Sequence, residues 1–374
     1  MNRLRPRSPG PERREPAIST AEVPASALGT LNYLARGGTA KVYRVPGYSL
    51  PGAGPLIYKE YSARIRQSAG PALLPGLRSL AEFRANLDSD TRAKLDQRAI
   101  WPLVVTTADD GSATGILLRE IPVEFFHDTR GVLEFQQLFN ADDDARRAGF
   151  PVVDQKTRLI LLTRFAEAMK LLHDLGIIFG DVSAKNVAFC LGAKPHIILV
   201  DTDSARRKGT RGPFGTQPHT PTWEPPEAVS ASRQIAYLKR LGSGGIGELG
   251  KLSDTWKRQT TETDVYKFGL MVVRVLDYGR QRTQNKNPER ARRVLQARVS
   301  GAAARLLDRT LGNDVKARPT MDEWYQALRG HTGPPARHPA RQVPRASSSP
   351  GSDRERSSAS PRWRLVEGMG WVRE

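Results

Sequence analysis

The sequence predicts an α+β protein of two unequal parts: a small, β-rich part over residues 21–121 and a larger, mostly helical part over 122–329. Three observations carry that expectation. Between Thr30 and Ile121, short apolar runs alternate with Gly and Asp turns, the pattern of strands in a sheet. Later in the chain, apolar residues recur at three- and four-residue steps over long windows, the pattern of buried helix faces. Pro122 separates the two regimes, because a proline cannot donate to a strand ladder.

Taken in order, Thr30 to Val45 reads as two strands joined at Gly37-Gly38, and Pro55 to Tyr61 as the next strand. Pro75 to Asp88 reads as a helix with Leu77, Leu80, Ala81 and Phe83 inward. Ile100 to Thr107 and Thr114 to Ile121 are two strands parted by the turn Asp109-Asp110-Gly111. The clearest helix is 157–175, with Leu159, Leu162, Ala166, Met169 and Leu172 in phase and Gly176 as terminator. A second long helix follows Asp264, carrying Phe268, Val272, Val275 and Leu276. Residues 231–261, ahead of it, read as a basic insertion that is Gly-rich around Gly242-Ser243-Gly244-Gly245.

The ends differ in composition. Residues 1–20 and 330–360 are rich in Pro, Arg and Ser and poor in apolar residues, so both read as disordered. Large apolar residues return in Trp363-Arg364-Leu365-Val366 and Met369-Gly370-Trp371-Val372. Two short strands around a Gly turn would explain this stretch, 361–374, as a segment that docks on the folded part or on a partner. A disordered end is the other open reading.

With 39% apolar residues, 374 positions suffice for one large two-lobed domain or two ordinary ones. The single cysteine, Cys190, excludes an internal disulfide framework and fits a reducing compartment, with packing as its expected role. No apolar run reaches the roughly 20 residues that span a bilayer, and the Arg- and Pro-rich start has no secretory core. A cytoplasmic protein with no membrane span is therefore expected. The net charge is +19, of which the tails carry +3 and +4. No aromatic-interleaved basic motif accompanies the rest, so a solvated basic surface is favoured over nucleic-acid binding.

Chemistry concentrates in Leu172-His173-Asp174-Leu175-Gly176-Ile177-Ile178-Phe179-Gly180-Asp181-Val182-Ser183-Ala184-Lys185-Asn186, followed by Ile198-Leu199-Val200-Asp201-Thr202-Asp203. A helix end, an Asp, an Asn five residues on, a hairpin and a second Asp bring three oxygen-bearing groups into one cleft. Phosphoryl transfer from ATP uses such a set: one carboxylate for the acceptor hydroxyl, an amide oxygen and a second carboxylate for magnesium. This segment resembles the catalytic and metal-binding loops of the Hanks-type (eukaryotic-like) protein kinases.

Other motifs follow in the family's order. Ala35-Arg36-Gly37-Gly38-Thr39-Ala40-Lys41-Val42 resembles the glycine-rich loop, and Leu56-Ile57-Tyr58-Lys59 the strand of the ATP lysine. Thr220-Pro221-Thr222-Trp223-Glu224-Pro225-Pro226-Glu227 resembles the end of an activation segment. Asp264-Val265-Tyr266-Lys267-Phe268-Gly269 and Arg318-Pro319-Thr320 resemble two landmarks of the large lobe, so the likeness spans about 30 to 328.

The resemblance implies a two-lobed protein-kinase-like fold and Mg-ATP-dependent transfer to protein Ser/Thr hydroxyls. By it, Asp181 is the catalytic base, and Asn186 and Asp201 hold Mg2+. Ala35, Gly37, Gly38, Thr39, Ala40 and Val42 would line the ATP phosphates, with Glu120 at the hinge. Lys59, a cation on an apolar strand, would be paired with the phosphates and with a helix carboxylate, for which Glu82 is the candidate and Asp88 a nearby competitor. Asp264 would bond the catalytic-loop backbone, and Glu227 would pair with Arg318.

Three departures matter. Phe179-Gly180-Asp181 replaces His-Arg-Asp, removing the Arg that reads an activation-loop phosphate. Asp201-Thr202-Asp203 replaces Asp-Phe-Gly. Ser183 stands where Ser/Thr kinases place a Lys, while Lys185 offers the same charge four residues after Asp181 and is a third catalytic candidate. A bacterial Ser/Thr kinase is the leading reading. A pseudokinase scaffold of the same fold and a small-molecule phosphotransferase are the alternatives, and the tails are candidate partner-binding segments.

Overall fold

The computed structural model describes residues 21–128, 131–215, 219–330, 363–366 and 370–373. Residues 1–20 and nearly all of 330–360, where disorder was expected, lie outside them.

The N-terminal part is one six-stranded sheet with helices. Its strands are β1 (Glu22–Pro24), β2 (Asn32–Arg36), β3 (Ala40–Arg44), β4 (Leu56–Tyr61), β5 (Val104–Thr107) and β6 (Ala113–Arg119), in the spatial order β1-β5-β6-β4-β3-β2. All pairs are antiparallel except β1 with β5. Five strands were anticipated; β1, three residues long, adds the sixth. Three helices rather than one separate β4 from β5: α1 (Ala63–Ala69), α2 (Leu73–Ala85) and α3 (Ser89–Arg98). The expected inward face of α2 is buried at Leu77, Leu80 and Ala81, joined by Leu73, while Phe83 is only partly buried and tilts onto Trp101. Asp88, read as the helix end, is instead the N-cap of α3, accepting from Thr91 N–H at 2.9 Å.

The C-terminal part begins with the short pair β7 (Phe126–His127) and β8 (Gly131–Val132), then α4 (Asp142–Arg147) and the central helix α5 (Gln155–Asp174). Asp154 caps α5 through Thr157 N–H, and Gly176, at φ 72°, ends it. Next come β9 (Ile177–Ile178), the antiparallel hairpin β10 (Val187–Cys190) with β11 (His196–Leu199), and β12 (Arg206–Arg207), which pairs with β9. Residues 231–261, read as an insertion, lie mostly in two packed helices, α6 (Pro226–Arg240) and α7 (Ile246–Lys257), with the Gly-rich stretch between them. Then follow α8 (Thr261–Leu276), α9 (Glu289–Arg298), α10 (Gly301–Leu311) and α11 (Met321–Arg329).

The large core wraps α5 and α8, with Phe135, Phe165, Phe268 and Trp324 touching ring to ring in series. A second core joins the two parts: Ala188, Cys190 and Ile198 of the β10–β11 hairpin pack with Tyr61, Leu77 and Ile116 from the sheet side. Cys190 is thus a packing residue. Arg318 grips Glu227 through two bonds of 2.8 and 2.7 Å, as the sequence led us to expect, and so ties the start of α6 to the segment before α11. At the C-terminus, β13 (Trp363–Val366) and β14 (Gly370–Arg373) form an antiparallel hairpin whose backbone lies beside β2 and β8. No helix among the described residues is long and apolar enough to cross a membrane.

Candidate functional site

The loop carrying Asp181 is held from below by α8. Asp264, fully buried, accepts hydrogen bonds from the backbone N–H groups of Phe179 and Gly180, both at 2.9 Å. His173 Nε2 lies 3.3 Å from the same carboxylate. One helical turn on, buried Lys267 donates to the Gly180 carbonyl and to Gln259 Oε1. Burial pushes the Lys267 ammonium down, and the Asp264 charge opposes that. The backbone on both sides of Gly180 is therefore clamped. Gly180 itself sits at φ 75°, a conformation that disfavours an Arg there. Phe179 is buried in the large core.

Asp181 is fixed through both carboxylate oxygens. Thr220 Oγ1 donates to Oδ1 at 2.6 Å, and Asn186 Nδ2 donates to Oδ2 at 2.9 Å and to the Asp181 carbonyl at 2.8 Å. Asn186 thus spends its amide hydrogens on Asp181 and keeps Oδ1 as an acceptor. Its own carbonyl accepts from Val200 N–H at 3.0 Å, which sets Asp201 beside it. Asp201 adopts a left-handed conformation at φ 54°, with its side chain 59% exposed. An amide oxygen and an open carboxylate fit a hard cation such as magnesium, which also takes water and phosphate oxygens. Among the described residues no group of three or more His, Cys, Asp or Glu could hold a metal alone.

Lys59 lies in a cross-sheet row, with Ala35, Val42, Lys59 and Ile116 paired in register on adjacent strands. Gly115, across from Glu60, lets β6 approach: a Cβ there would fall 2.1 Å from the Lys59 carbonyl oxygen. The Lys59 ammonium is paired with Asp201 at 3.2 Å and with Asp203 at 2.8 Å. Burial pulls its pKa down, but the two carboxylates outweigh burial and raise it. Glu82, the expected partner from α2, makes no ion pair with Lys59. Glu120 is engaged by Arg44, its Oε2 accepting from Arg44 Nε at 3.2 Å.

At the β2–β3 turn, Gly37 N–H donates to the Ala40 carbonyl at 2.8 Å. Neither Gly37 nor Gly38 needs positive φ, and Gly38 has open space around it. Ala35 and Ala40 are buried in the sheet, so Gly37, Gly38 and the exposed Thr39 form the bare tip. Lys185 is exposed on the loop that carries Asp181. Its charge acts on Glu134, a buried carboxyl that burial pushes up to about 8, with Lys185 pulling it down and Asp201 pushing it up.

Three site residues escaped sequence reasoning: Thr220, Asp203 and Glu134. Thr220 and Asp203 lay inside quoted motifs, but neither motif shows which carboxylate or cation each would meet. Glu134 had only its apolar neighbours Leu133 and Phe135 as a signal. No protein-family model matches this chain, and no curated protein matches it.

Proposed function

We propose that this chain transfers the γ-phosphoryl group of Mg-ATP to a serine or threonine hydroxyl of a protein, on a protein-kinase-like fold. One observation carries the reading. An unbroken series of contacts runs from Lys59 to Asp201, through the Val200–Asn186 backbone bond, to Asp181. A phosphate-binding cation, two oxygen ligands for a metal and a fixed carboxylate thus meet in one cleft.

In this reading Lys59 binds the α- and β-phosphates. Asn186 Oδ1 and Asp201 hold magnesium, which when bound neutralises phosphate charge. The acceptor hydroxyl takes the place beside Asp181 Oδ1 that the Thr220 hydroxyl borders. Its O–H bond breaks toward Asp181, its oxygen bonds to the γ-phosphorus, and the bond to the β-phosphate oxygen breaks, releasing ADP. Such general-base help contributes roughly 10²–10⁴-fold. Lys185, exposed on the same loop, offers its charge to the transferring group. The resemblance of Thr220-to-Glu227 and Arg318-Pro319-Thr320 to protein-kinase motifs favours a protein acceptor over a small molecule.

The test is labelled ATP and magnesium with a panel of protein acceptors, beside an Asp181→Asn control. Label transferred by the wild-type chain alone supports the reading. Binding of Mg-ATP with no transfer by either form points to a scaffold instead. No thermal shift at millimolar Mg-ATP removes the nucleotide from the account altogether.

A further inference from the structure

We infer that Asp203 is the positioning residue of Lys59, doing from the loop after β11 what a helix carboxylate was expected to do. The inference rests on the phosphoryl-transfer reading and deepens it.

Helix α2 presents no acid toward the lysine. Leu73 and Leu77 of its buried face share one apolar cluster with Tyr61 and Ile116. A second feature of α2 is closed to a side chain: a Cβ on Gly76 would lie 2.5 Å from the Cα of Pro213. The segment after β12 therefore presses directly onto the helix there, and Phe214 meets the Tyr61 ring edge-on at 5.3 Å. Lys59 is left to find its partner elsewhere.

Asp203 is built for that role. Its side chain is 4% exposed, 2.8 Å from Lys59 Nζ, and Tyr61 Oη donates to its Oδ2 at 2.6 Å. Between them, Thr202 Oγ1 donates to the Ile100 carbonyl at 2.6 Å and fixes the turn. Asp201, at 59% exposed, faces the opposite situation: it can leave Lys59 for a cation without vacating a buried site. The two carboxylates divide the work. Asp203 is enclosed and keeps the ammonium in place, while Asp201 is open and free to take the metal. A single carboxylate cannot do both at once.

Four variants, Asp203→Asn, Tyr61→Phe, Glu82→Gln and the double Asp203→Asn/Tyr61→Phe, would be compared with wild type. Calorimetry gives affinity for ADP with and without magnesium, and labelled ATP gives KM and kcat. Asp203→Asn should weaken ADP about tenfold or more in both conditions, since a charge-assisted bond to Lys59 is lost rather than a metal ligand. Tyr61→Phe should weaken it about threefold, and the double variant should be no worse than Asp203→Asn alone. Glu82→Gln should stay within twofold. If Asp203→Asn does not fold, Tyr61→Phe still carries the comparison. The inference is overturned if Glu82→Gln loses affinity while Tyr61→Phe and Asp203→Asn do not, or if the Asp203→Asn loss appears only with magnesium. A wild-type chain that binds neither ADP nor Mg-ATP sinks the phosphoryl-transfer reading itself, visible in its own arm.

Discussion

The loop that carries Asp181 and the strand that carries Lys59 are secured by different kinds of contact. Around Asp181 the clamps grip main chain. Asp264 takes the amides of Phe179 and Gly180, and Lys267 takes the Gly180 carbonyl. Around Lys59 the clamps are side chains only, Asp201 and Asp203, with Tyr61 behind them. A main-chain clamp is indifferent to which side chains the loop bears. That is how Phe179 and Gly180 can stand where the resemblance has His and Arg while Asp181 keeps its place. A side-chain clamp can instead be moved, because any carboxylate that reaches the ammonium will serve. Here it sits on the loop after β11 and not on α2.

The comparison is sharpened most by Asp181→Asn. If the main-chain clamp sets geometry and Asp181 supplies chemistry, phosphotransfer should fall by roughly 10²–10⁴-fold. Nucleotide affinity by calorimetry should stay at the wild-type value. Asp264→Ala attacks the clamp itself. It leaves two buried N–H groups without their acceptor, at a cost of about 3 kcal/mol. The melting temperature should drop by about 5 °C, since an unfolding entropy of about 2.1 cal/mol/K per residue over about 300 folded residues gives about 1.6 °C per kcal/mol. A drop under about 2 °C would mean that the loop does not depend on α8.

What the sequence made legible was local or periodic. Asp181, Asn186 and Asp201 lie within one hairpin's length of each other, so spacing alone groups them. Helices α5 and α8 are buried on broad faces, so their apolar period is strong. Helices α6 and α7 were missed because only Ala228 and Ala231 are buried in the first and nothing in the second. A period carried by so few apolar positions is weak, and Gly242–Gly245 then reads as a loop. Helix α3 hides for the same reason, since Leu95 is its one buried residue. The Lys59 partner was a different failure. Lys59 and Asp203 are 144 residues apart, and no local pattern distinguishes a carboxylate that reaches the ammonium from Glu82, which does not.

Glu134, whose carboxyl feels the charges of Lys185 and Asp201, offers a smaller test through pH. Its carboxyl is pushed up from 4.5 to about 8, first by burial. Between those values the unfolded chain has released this proton and the folded chain still holds it. Stability therefore falls as pH rises through that window and levels off above pH 8. Unfolding free energies from urea titrations at pH 6 and 8 should differ by on the order of 2 kcal/mol from this group. Glu134→Gln mimics the protonated form and should flatten the slope. An unchanged slope in the variant would assign the pH response to other groups.

The smallest effect belongs to Gly180→Ala. The backbone there is left-handed at φ 75°, and an added Cβ would meet nothing closer than Gln259 at 3.7 Å. Sterics between side chains therefore contribute nothing, and the cost is that of an L-residue in this conformation, about 1–2 kcal/mol. Because Asp264 and Lys267 hold the amide and carbonyl of this very residue, the loop should absorb the strain without moving Asp181. Chemical denaturation should register the loss, while kcat for phosphotransfer should remain within about threefold of wild type, since threefold is well under the tenfold that 1.36 kcal/mol of barrier represents. A fall in kcat of about a hundredfold with stability intact would show the reverse, that the main-chain clamp yields and that Gly180 is required for the placement of Asp181.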